Sequence, residues 1–148
     1  MSINRPLRIG LIGAGTIAFS AHLPAIRRLR DEYQLVSIAD IRVENAARAA
    51  DEFGAETHYA DYREMLDREE LDVVDICTPE FLHPEQTEAA AAAGVHILCE
   101  KPMSASIAGA PFAIDLAYWH GFTLELGLTA LAVVAGLGLW FYQLGLAR

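Results

Sequence analysis

Cysteine is scarce in this sequence: its 148 residues hold two. Two thiols cannot build a disulfide framework, and no four-ligand zinc cluster is available. Positive charge is also short, with 11 Lys and Arg against 20 Asp and Glu, a net charge of −9. That balance argues against a nucleic-acid binder, which needs a basic face. No signal-type apolar stretch opens the chain, since residues 1–7 are polar and lead straight into a short strand-like run. The first part is therefore expected to fold in the cytoplasm. With 53% hydrophobic residues there is enough apolar material for a core, which excludes disorder and collagen-like architecture. The length suits one domain.

Charge is missing from one region in particular. Residues 1–110 carry 18 acidic and 10 basic side chains, whereas 111–148 carry only Asp115, Glu125 and Arg148. The first part reads as a charged-surface domain, the second as a segment that avoids water.

Within the first part, short apolar runs alternate with helical patterns. Strands are predicted at 7–12, 35–39, 56–59, 73–77 and 95–99, and helices at 16–30, 43–53, from 62, and at 85–93. Pro24 is expected to restart the first helix, Gly54 and Gly94 to stop the second and fourth, and Pro84 to sit at a helix start. Strand–helix alternation of this kind demands parallel pairing with right-handed crossovers, an α/β fold with helices on both faces.

Gly13-Ala14-Gly15-Thr16-Ile17-Ala18 follows the first strand and opens the first helix. In this setting the spacing G-x-G-x-x-A has a physical meaning. Gly13 permits a tight turn, Gly15 lets a pyrophosphate approach the backbone, and Ala18 is small enough for close helix–strand packing. Thr16 and Ile17 bring the helix N-terminus, with its free N–H groups, to the phosphates. Asp40 ends the second strand, where a carboxylate can accept hydrogen bonds from the ribose hydroxyls of NAD and repel the extra phosphate of NADP. Arg42 stands two residues on and offsets that repulsion, so NAD is expected and NADP is admitted. Cys77 and Cys99 end neighbouring strands and read as small buried hydrophobes.

Three further motifs are Tyr59-Ala60-Asp61-Tyr62, Thr78-Pro79-Glu80-Phe81-Leu82-His83 and Glu100-Lys101-Pro102. Together with the glycine turn, in this order and spacing, they resemble the Gfo/Idh/MocA oxidoreductases, the glucose–fructose oxidoreductase and inositol dehydrogenase family. The resemblance covers residues 6–108. It implies a Rossmann-type doubly wound parallel sheet that exchanges a hydride between NAD(P) and a sugar-like or polyol substrate. Thr78, Pro79 and His83 would line the nicotinamide side of the cleft. Glu100 would contact the cofactor region. Lys101 would be the catalytic residue, reaching the substrate oxygen and helping proton transfer. Pro102 would fix that chain turn, in the family often through a cis bond. Taken alone, His83 reads as a helix cap or a satisfied loop histidine.

A complete family member continues into a large substrate domain, whose motif is not found here. The chain is thus expected to be a truncated, cofactor-binding half, inactive alone. Residues 109–125 read as a junction. Residues 126–147 form a run of 22 without a formal charge, long enough as a helix to cross a membrane and contact it. Trp140, Phe141 and Tyr142 would suit the membrane interface. The stretch 115–122 with the following apolar run resembles a transmembrane segment of the large A subunit of Mrp-type sodium/proton antiporters. The rival reading of the whole is a non-catalytic, membrane-tethered dinucleotide-binding module, or a hybrid product without activity.

Overall fold

The computed structural model describes residues 5–104. The junction expected over 109–125, the hydrophobic helix expected over 126–147 and the antiporter-like stretch lie outside these residues. Among the described residues no helix is long and apolar enough to cross a membrane.

Five strands form one sheet in the order β3-β2-β1-β4-β5, and every neighbouring pair is parallel. They are β1 (Leu7–Ile12), β2 (Tyr33–Ala39), β3 (Thr57–Tyr59), β4 (Val73–Ile76) and β5 (His96–Cys99). The chain builds outward from β1 to β3, then crosses back to place β4 on the other side of β1. That reversal puts a crevice at the carboxyl ends of β1 and β4, the position where open α/β sheets bind ligands.

The period of two along a strand divides the core into two layers. Ile9 and Leu11 of β1 pack with Leu23 and Ile26 of α1 (Leu23–Arg28) and with Ala46, Ala49 and Ala50 of α2 (Val43–Phe53). Ile12 faces the opposite layer, with Met65 of α3 (Tyr62–Arg68) and Ala90 of α4 (His83–Ala92). The alanines recur at helical spacing, so α2 lies close on the sheet. Fully burying side chains such as Leu11 and Ile38 stabilises the fold by roughly 1.5–3 kcal/mol each. Asp61 caps α3, its carboxylate accepting from the Arg63 N–H at 2.9 Å, which gives the Tyr-Ala-Asp-Tyr motif a structural role.

Two local irregularities depart from the sequence pattern. The first helical segment starts at Thr16 but widens into a π-helical turn at Ala18–His22 before α1 begins. The Leu23 N–H donates five residues back to the Ala18 carbonyl. In addition, β1 and β2 slip register between Ile9 and Gly10, which pair with Leu35 and Ser37 and leave Val36 as an extra, bulged residue.

Candidate functional site

Backbone hydrogen bonds bring the loops after the strands to one level. The Gly13 N–H donates to the Ala39 carbonyl (2.8 Å), the Cys77 N–H to Ile12 (2.8 Å) and the Glu100 N–H to Ile76 (2.9 Å). The glycine turn, Asp40, Thr78 and Glu100 thus meet at the carboxyl edge of the sheet.

Gly13 has φ +96°. A Cβ there would stand 2.8 Å from Thr78 Cγ2 and 2.9 Å from the Cys77 carbonyl carbon. Only glycine fits this closely packed, left-handed position. Gly15 is the opposite case, because a Cβ would meet nothing within 4 Å. Its open space belongs to a groove of about 460 Å³ lined by Gly15, Thr16, Ser20, Arg42, Asn45 and Arg48 among others. An open glycine backbone beside two arginines is a lining that fits a pyrophosphate and an adenosine ribose. Ile17 is 41% exposed, while Ala18 is fully buried against the sheet. The Arg48 guanidinium lies 4.6 Å over the Phe19 ring, a cation–π contact that fixes it at the groove wall.

Asp40 has a structural task that sequence reasoning missed. Its Oδ2 accepts from the Ala14 N–H at 2.8 Å and its Oδ1 from the Arg42 N–H at 2.9 Å. The carboxylate therefore ties the glycine turn to the end of β2. Each oxygen keeps a further lone pair for a ligand hydroxyl.

At the other side of the crevice, Lys101 is exposed and its peptide bond to Pro102 is cis, as the family resemblance implies. Thr78 is half-buried, and its hydroxyl donates to the Gln86 side-chain oxygen of α4. Pro79 is exposed at the loop. His83 is buried, and its two ring nitrogens lie 2.8 Å from the Pro102 and Thr78 carbonyl oxygens. From the first position of α4 its ring spans the Thr78 loop and the Lys101-Pro102 turn.

The sequence pattern also left a three-member cluster unnoticed. His22 Nδ1 lies 2.8 Å from Asp75 Oδ2, and His22 Nε2 lies 2.9 Å from Glu100 Oε1. Asp75 is 1% exposed. Burial pushes its carboxyl above the usual range, against the pull of His22. Burial disfavours a charged His22 ring, but Asp75 and Glu100 outweigh it and hold the ring's pKa above the ordinary value. The available signal was Asp75 itself, an acid within the apolar run Val73-Val74-Asp75-Ile76-Cys77, which must have a partner if that strand is buried. Cys77 Sγ lies 3.6 Å from Asp75 Oδ1. His22, Asp75 and Cys77 thus bring three metal-capable atoms within 4.8 Å of one another. However, both ring nitrogens already face carboxylates, and burial raises the Cys77 pKa far above its ordinary value. The cluster is better described as a hydrogen-bonded trio of His22, Asp75 and Glu100. Cys99, half-buried at the end of β5, has its thiol pushed by burial up to about 11.

Comparison with known proteins places this geometry. Residues 7–127 match the Gfo/Idh/MocA profile, described as an oxidoreductase family with an NAD-binding Rossmann fold. The D-glucoside 3-dehydrogenase of Escherichia coli is 37% identical over 99 residues, covering 67% of this chain and 28% of that protein. A crystal structure of the WlbA dehydrogenase from Chromobacterium violaceum, in complex with NADH and UDP-GlcNAcA, superposes with a TM-score of 0.75 at 30% identity. That match covers 80% of this chain and 34% of the other. KijD10, a 3-ketoreductase from Actinomadura kijaniata in complex with NADP and TDP-benzene, gives a TM-score of 0.72 at 32% identity, with 79% and 35% covered. The chain spans about a third of the length of the curated relatives it matches, from 27% to 38%. Motif order, strand order and the matched profile agree, and the chain belongs to the Gfo/Idh/MocA oxidoreductase family through its NAD-binding Rossmann domain.

Proposed function

We propose that this chain binds NAD or NADP and forms the cofactor side of an oxidoreductase acting on a CH–OH group of a sugar-like substrate. The observation that carries the reading is the open face of Gly15 above a helix N-terminus, with Asp40 beside it. The first N–H groups of that helix, which have no partners within it, would hold the pyrophosphate. Asp40 would accept from the adenosine ribose hydroxyls, while Arg42 and Arg48 supply positive charge at the groove where a 2′-phosphate would lie. This pairing supports dual use of NAD and NADP. Thr78, Pro79 and His83 would form the nicotinamide side, with His83 holding the two loops together and Glu100 at the cofactor edge. The cofactor supplies the hydride acceptor or donor. Lys101 would move a proton at Nζ to or from the substrate oxygen, a general acid–base role.

The test is calorimetric titration of the chain with NADH, NADPH and ADP-ribose. Binding of all three is expected, and Lys101→Met is expected to leave each affinity unchanged because Nζ serves the substrate. A folded chain that binds none of them would overturn the reading.

A further inference from the structure

The trio of His22, Asp75 and Glu100 is not needed to cradle the pyrophosphate, and its members come from three separate parts of the chain. Asp75 lies in β4, where it is all but inaccessible. Glu100 follows β5, with its side chain 24% exposed at the crevice. His22 ends the π-helical turn, in a side chain 15% exposed. π-Helical turns are rare, and where they occur inside helices they frequently mark functional sites. Here the wide turn closes on the residue that bridges the two carboxylates.

The chemistry of the bridge is constrained. A neutral imidazole offers one N–H and one lone pair, whereas ionised carboxylates only accept. With a carboxylate oxygen on each ring nitrogen, both contacts are hydrogen bonds only if the trio holds one extra proton. That proton sits either on the second ring nitrogen or on a carboxyl. Glu100 is then held at both of its oxygens, since Oε1 faces His22 and Oε2 accepts from the Lys101 N–H at 3.2 Å. A buried anchor, a ring and a carboxylate at the crevice thus form a line ending at the backbone of Lys101.

We propose that His22 is a positioning residue for the nicotinamide end of the cofactor site, anchoring on Asp75 and setting the orientation of the Glu100 carboxylate and, through it, the Lys101 turn. The proposal rests on the reading of this crevice as a dinucleotide site. It assigns to His22 no contact with the adenosine groove: Phe19 and Ser20 of the same π-helical turn line that groove with Arg42, Asn45 and Arg48, and His22 does not.

That separation provides the test, with NADH and ADP-ribose as probes on the full chain. His22→Gln is expected to weaken NADH binding about tenfold, the worth of one charge-assisted hydrogen bond, and to leave ADP-ribose binding unchanged. Glu100→Gln should lose the same factor, and the double variant no more than either single one, because the two residues act in series. Equal losses for NADH and ADP-ribose in His22→Gln would mean a merely structural role and would overturn the proposal. So would unchanged NADH binding, or a double variant whose loss is the product of the two single losses. A second measurement needs no variant: the ring ¹⁵N signals of His22 should shift on adding NADH and stay in place on adding ADP-ribose. Signals that ignore NADH also overturn the proposal. Failure of the unaltered chain to bind ADP-ribose would instead sink the dinucleotide reading itself, so the two failures are distinguishable.

Discussion

Gly13 and Gly15 stand in one turn under opposite constraints. Gly13 is required by the protein's own interior, because its backbone is left-handed and a Cβ would collide with Thr78 and Cys77. At Gly15 a Cβ would meet nothing in the protein, so on the proposed reading only a ligand approaching from outside would exclude a side chain. Gly13→Ala is therefore expected to destabilise the chain by roughly 1–3 kcal/mol from backbone strain alone, visible as a lower urea midpoint. Gly15→Val should leave that midpoint in place and abolish NADH binding. If Gly15→Val binds NADH normally, the cofactor does not lie where the turn suggests. Spacing made both glycines legible in the sequence. It could not show that Asp40 braces the turn through the Ala14 N–H, since the pairing spans 26 residues. His22 was hidden for a related reason: its partners lie 53 and 78 residues away.

Elements were legible where a continuous apolar run or a helical period announced them. The sequence pattern anticipates α2 at Val43–Phe53 and β1 at Leu7–Ile12 as found, because both combine strong periodicity with clear stops. The π-helical turn and the bulge at Val36 escaped notice. Each amounts to one extra residue in a ladder, and neither has a compositional signature. The bulge sets up a checkable imbalance. Ser37, opposite Gly10, is fully buried, and among the described residues its hydroxyl has no hydrogen-bond partner. A buried hydroxyl without a partner costs stability that its removal restores. Ser37→Ala is expected to stabilise the chain by about 1 kcal/mol, read from chemical denaturation. A loss of stability would show that the hydroxyl is satisfied.

Across the whole molecule, two charged clusters set opposite limits on pH. Asp72 accepts from both Arg5 guanidinium nitrogens and from the Arg8 N–H. The Arg5 hydrogen bond leads in holding its pKa below the ordinary 3.8. Its stabilisation is present above 3.8 and lost as pH falls through the depressed folded-state value. In the trio the sign reverses. His22 is raised above 6.5, so its contribution is complete below 6.5 and lost as pH rises through the folded-state value. The raised pKa of Asp75 acts in the same direction, because the folded state holds its proton more tightly. The Asp75 loss begins at 3.8, so stability should peak near about pH 4 and fall again as pH rises through the folded-state value of His22. A melting-temperature series across pH checks this, with Asp72→Asn expected to flatten the acid limb and Asp75→Asn the alkaline one. A maximum above pH 8 would contradict the assignment of charge in the trio.

The parts of the crevice come from opposite ends of the described chain. Gly13 leans on Thr78, Asp40 braces Ala14, and Glu100 and Pro102 reach back to His22 and His83. No contiguous fragment holds all of them, so an unfolded chain has nothing with which to recognise a dinucleotide. Binding and folding are then thermodynamically linked, and a ligand at a hundred times its Kd would deepen the native well by about 2.7 kcal/mol. During synthesis the same dependence sets an order: the groove residues 14–48 leave the ribosome before Cys77 and Thr78, against which the Gly13 turn packs, so the cofactor can stabilise a nascent chain only after β4 has followed.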